Sequence, residues 1–332
     1  MPATAFTRGI QTGAGSMIDF DYLHKGLYGL ANAHKASALA GHLGAAVAAG
    51  YFWGEDNSDL DEAVHLGVER ELDRIIKGEE AIWFNAKKAG ITSHELFEPL
   101  ADEAADEKLI PVIAQALAEN IGGTRQSGHN VIFASIAIRA LHDHPEYATP
   151  AMVEGIRKLI RGFNGATAGR GYYGKERGWL QGEQVTVATD DGFELYQSEQ
   201  EMVEVVIDEL ISSVAIRRQG FGSMWHIINH TAGLTELSRF GYEELARQGF
   251  EAHRHHIRLW RTLPDVASDL GPLQRSEHDP GEPAYWTGDL KRDEARLTHR
   301  IKTLYGFHTI LRFIEDAQKR KKAEDSLRFL MA

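Results

Sequence analysis

From Met17 onward, apolar residues recur at helical spacing almost to the end of the chain. The pattern predicts helices over residues 18–34 and 35–53, and a longer one capped by Ser58 or Asp59 that stops near Lys77 and Gly78. A shorter helix is expected from Thr92, then others over 102–119 and 127–142. Thr149 followed by Pro150 is a favoured helix start, and that helix should run to about residue 163. Helices return at 199–218, 223–240, 242–263, 292–314 and 316–330.

The habit breaks once. Glycines crowd residues 165–178, and the alternation from Glu183 to Thr189, then Phe193 to Tyr196 across Asp190-Asp191-Gly192, predicts one β-hairpin over 183–197. The expected fold is therefore all-α: a compact array of antiparallel helix pairs around a central cavity, with one hairpin inserted. Residues 1–16 read as an irregular arm and 17–332 as one helical domain, with 164–198 as the candidate point of subdivision.

Composition narrows the function classes. At 332 residues with 43% hydrophobic, the chain can bury a large core. A net charge of −12 disfavours nucleic acid, and Lys319-Arg320-Lys321-Lys322 reads as the solvated face of a last helix. There is no secretory signal and no apolar run of membrane-spanning length, so a cytoplasmic protein with no membrane partner is expected. The absence of cysteine removes thiolate chemistry, leaving any metal to His, Asp or Glu. Histidine is abundant, at 16 residues.

Four helices open on a histidine followed by a small or apolar face: Gly41-His42, Gly128-His129, Trp225-His226 and Thr298-His299. Residues at helical spacing beyond His42, His129 and His226 share the histidine's face, which points these rings toward the core. His230 adds an i, i+4 partner to His226. Helices lining one space in the same sense would bring these histidines together at one end of it. Neutral imidazoles converging there would ligate iron, manganese or zinc, through His42, His129, His226, His230 and His299. Alternatively His129, His226 and His299 act as general acids and bases. The structural alternative is that each is a hydrogen-bonded helix-start residue.

Other features carry less. His65 and Glu69 lie on a highly charged helix and read as surface, as does His253-Arg254-His255-His256 beside Arg258 and Arg261. His142-Asp143-His144 sits at a helix end without matching partners. Gly165 to Gly171 lacks the strand–helix context of a dinucleotide site, and there is no P-loop or GxSxG elbow.

The order of the His-led segments resembles the questin oxidase-like family, through Gly41-His42 with its Ala-rich run, His129-Asn-Val-Ile-Phe-Ala, Met224-Trp-His226-Ile-Ile-Asn and His299-Arg-Ile-Lys302. The acidic pair that precedes the family's last histidine is displaced here to Asp293-Glu294. The resemblance implies an oxygenase acting on an aromatic or polycyclic small molecule, and NADPH as a cofactor. An α/α-toroid acting on carbohydrate or peptide is the rival enzyme class, but would need a facing carboxylate pair. A non-catalytic helical scaffold is the third reading.

Overall fold

A computed structural model describes residues 17–188, 192–292 and 295–332. Residues 1–16, expected as an arm, Thr189 to Asp191, expected within the hairpin, and the pair Asp293-Glu294 lie outside the described residues. The structure is 61% helical, with one two-stranded antiparallel hairpin among the described residues.

Four helices form its middle: Gly41–Asp56, His129–Asp143, Ser223–Arg239 and Arg296–Leu311. They pack in a closed ring in that order, with the last returning to the first. Each is buried nearly all round, as a helix with neighbours on every side must be. The Asp21–Ala33 helix packs on the first of the four and on Pro150–Arg161. Its contact with Gly41–Asp56 is very close: a Cβ on Gly44 would lie 2.2 Å from the Leu30 nitrogen.

Local chemistry sets the helix limits. Thr149 accepts from the Met152 amide, as the Thr-Pro signal predicts. Asp61, rather than Ser58 or Asp59, caps Glu62–Ile76. Pro111 holds the helix expected from 102 to Pro111–Ala118, and the expected 242–263 helix breaks at Gly249 into Glu243–Gln248 and Phe250–Arg261.

The hairpin is earlier than its predicted place. Strands Arg170–Tyr172 (β1) and Trp179–Gln181 (β2) pair around the glycine-rich turn, with Gly174 and Gly178 at positive φ. Gly171 also bridges to Gly220. The Val185–Val187 stretch has the alternation of a strand but no partner strand among the described residues.

At the C-terminal end of the four-helix ring, Arg139 closes the space. It bonds Asp56 at 2.8 and 2.9 Å and lies 3.7 Å from Glu236, which accepts from the Tyr305 hydroxyl. A cation suits helix C-termini. The N-terminal end is where the histidines meet. No described helix is long and apolar enough to cross a membrane.

Candidate metal centre

His42, His129, His226 and His299 all stand in the first turn of their helices, and all are buried. Their rings follow the cyclic order of the helices. Centroids lie 4.4 Å apart for His42–His129 and His129–His226, 4.8 Å for His226–His299 and 5.0 Å for His299–His42. The Nε2 atoms of His129 and His42 are 2.5 Å apart, and those of His226 and His299 2.6 Å. One ring nitrogen each from His42, His226 and His299 lies within 4.8 Å of the others.

The other ring nitrogen of three of them is committed. The Nδ1 of His129 meets the Gln126 carbonyl, that of His226 the Ser127 carbonyl at 3.2 Å, and that of His299 the Ala295 carbonyl at 2.8 Å. A carbonyl only accepts, so each of these nitrogens carries the hydrogen. In the neutral ring Nε2 is then a bare lone pair. His226 and His299 thus aim two lone pairs at each other across 2.6 Å, which is repulsive unless a proton or a cation sits between them.

Backbone strain places these carbonyls. Gln126, Ser127 and Ala295 are among five described non-glycine residues at positive φ, at +44°, +61° and +68°. The left-handed conformation costs about 1–2 kcal/mol for an L residue.

Burial is the largest influence holding all four histidines well below the ordinary imidazole range; the Lys302 charge follows for His42, His129 and His299, and the His129 ring and then Lys302 for His226. The helix N-termini oppose imidazolium as well. A shared proton is therefore the harder way to relieve the facing lone pairs. Two nitrogens bound tetrahedrally at about 2.0–2.1 Å from a zinc-sized ion stand roughly 3.4 Å apart. The rings would need to part by less than about 1 Å. The residues fit a transition metal.

Aromatic rings wall the centre. Trp83 lies flat on His42 at 3.5 Å, Trp225 flat on His299 at 4.9 Å, and Phe133 is edge-on to His42 at 5.4 Å. The expected cavity of ligand size is not formed between the histidines, whose rings are in mutual contact.

Three participants were missed by the sequence reading. The Nζ of Lys302 faces the Nδ1 of His42. Burial pushes this amine down to about 7, with the Glu80 charge opposing. Glu80, itself raised by burial, accepts from the Thr298 amide at 2.9 Å. Lys302 stands three residues beyond His299, on the same helix face, which was the available signal. Glu80 and Trp83 come from a short 3-10 segment with no such signal.

His230 does not join the four. Its ring packs on His253 at 4.9 Å and His256 at 5.6 Å, with Nε2 buried and unpartnered. His253 and His256 are fully buried, correcting their reading as a solvated face. His65 is also buried, facing the Asn57 carbonyl, because the side with Val64, Val68 and Leu72 packs inward.

Compared with protein-family models, curated proteins and solved structures, the chain matches none. Fold and site together define an all-α protein with a buried four-histidine cluster. The described residues contain no parallel sheet of the kind that carries a Rossmann nicotinamide site.

Proposed function

We propose that this chain is a metal-dependent oxidoreductase whose His42, His129, His226 and His299 hold a transition metal, iron or manganese before zinc. The observation that carries the reading is the tautomer pattern. Nδ1 hydrogens of His129, His226 and His299 committed to carbonyls leave their Nε2 lone pairs aimed inward, as metal-ligating histidines are held by their outer partners. A redox metal held there would supply the one-electron chemistry that oxygen activation needs. The chain's own residues keep imidazoles neutral, exclude water with aromatic walls, and offer Lys302 as a nearby proton carrier. Oxygenation of an aromatic small molecule is the reaction class favoured by the His-led segments and their likeness to questin oxidase-like proteins.

The second reading is acid–base catalysis without metal, favoured by the short Nε2–Nε2 separations, which suit a shared proton. Metal analysis separates the two. Protein supplied with iron, manganese and zinc should bind about one ion per chain, and His226→Ala should lose it while keeping its helical circular dichroism. Wild-type protein without stoichiometric metal would leave the acid–base reading. Oxygen consumption with a panel of hydroxylated aromatics, assayed on the metal-loaded protein, tests the reaction class.

A further inference from the structure

Trp225 has two different neighbours. On one side its ring lies on His299, at 14° between planes. It also lines a groove with Trp260, Leu273 and Phe329 among its apolar walls. Its Nε1 donates to the Leu330 carbonyl at 3.1 Å, fixing the ring between groove and histidines.

Three cations line the same groove: Arg217, Arg218 and Arg296. Arg218 lies over Trp260 and pairs with Glu209 at 3.6 Å, with Asp265 a further acid acting on it. Glu209 is shared with Arg261 at 2.9 Å, so one carboxylate serves two guanidinium groups. Arg296 lies over the Trp225 ring and donates to the Ala332 carbonyl. Arg217 makes no ion pair among the described residues, and its shielded Nε has no hydrogen-bond partner. The hairpin pins its segment: Gly220 bridges to Gly171, the Tyr172 amide donates to the Gln219 carbonyl, and the Val266 amide donates to the Arg217 carbonyl.

We infer that this groove is the substrate site, and that it takes an aromatic small molecule bearing one acidic group, with the ring against Trp225 and the anion on Arg217. Trp260 and Trp225 supply aromatic walls, and a guanidinium suits a planar carboxylate. The anion excess of an unpaired arginine is what separates this ligand from a neutral aromatic. The inference rests on the oxidoreductase reading for the word substrate, and on the groove alone for binding.

The test is calorimetry on chelator-treated protein with 2-naphthoate and its neutral counterpart 2-naphthalenemethanol. Wild type should bind the naphthoate at least about tenfold more tightly. Arg217→Met should erase that preference and Arg217→Lys should keep part of it, with circular dichroism unchanged. Equal binding of the two compounds by wild type, or a preference that survives Arg217→Met, overturns the inference. The wild-type comparison decides even if the variant fails to fold. Because metal is removed, naphthoate binding stands or falls separately from the metal centre.

Discussion

The carbonyl of Ala295, a residue held at φ +68°, accepts the Nδ1 hydrogen of His299 at 2.8 Å. The relationship recurs. Gln126 and Ser127 present carbonyls to His129 and His226, and Phe221, at φ +46°, presents its own to His256 at 2.8 Å. Four of the strained residues thus hold histidine rings, three of them in the four-histidine cluster, and strain concentrated there is a sign of function.

That strain is measurable. Ala295→Gly removes the Cβ penalty at a left-handed position and should stabilise the fold by about 0.5–1 kcal/mol, after the entropy glycine adds to the unfolded chain. Ala295→Val should destabilise it by roughly 1–3 kcal/mol. Urea midpoints at unchanged slope read both. A lower midpoint for the glycine variant would remove the strain argument.

Acid should unfold the protein through its neutral histidines. Burial lowers His253 to about 3 and His256 to about 4. The hydroxyls of Tyr196 and Thr231 occupy both nitrogens of His253. Below the unfolded value of 6.5, the unfolded chain takes up protons that the folded chain does not. Stability is therefore full above about pH 6.5 and falls as pH drops toward 4, by about 1.4 kcal/mol per pH unit for each such histidine. His253→Gln should flatten the slope of stability against pH by one histidine's share. An unchanged slope would mean that His253 protonates in the folded state.

What the sequence made legible follows from physics that is local to each helix. His42, His129, His226 and His299 were found because each begins a helix whose following turns are apolar on the same face. His230 shares a face with His226 on an ideal helix, but it meets His253 and His256 from another helix, a tertiary fact. Those two were read as solvated because Arg254, Arg258 and Arg261 dominate their segment. Yet His253, His256, Ile257 and Trp260 fall on one helical face, and all are buried. The hairpin was displaced because Val185 and Val187 alternate well, while pairing depends on which strand lies beside them. Trp83 and Glu80 reach the centre from a segment without periodicity.

Gly44 sets how closely the His42 helix approaches its outer neighbour. A Cβ there would meet backbone, the Leu30 nitrogen at 2.2 Å and the Gly29 carbonyl carbon at 2.4 Å. Backbone on both sides cannot rotate away, so Gly44→Ala should cost about 1–3 kcal/mol or more. The helix shift would also move His42, two residues earlier, and weaken metal uptake. Thermal unfolding with metal titration checks both. Wild-type stability in this variant would show that the two helices part without penalty.

The sharpest division lies between His42 and His230, both buried and both expected as ligands from the sequence. His42 brings Nε2 to 2.5 Å from that of His129, inside the four-ring cluster. His230 turns its Nδ1 to His256 at 3.4 Å and meets the His253 ring edge to face. His42→Ala should therefore abolish metal binding, because among the described residues no carboxylate joins these rings to replace the lost ligand. His230→Ala should retain one ion per chain, though it leaves a cavity beside Gly128 and costs stability of about 2–3 kcal/mol. Elemental analysis of the two variants, loaded under identical conditions, makes the comparison. Loss of metal in both, with both folded, would return His230 to the ligand set and require the rings of the His226 helix to rearrange around the ion.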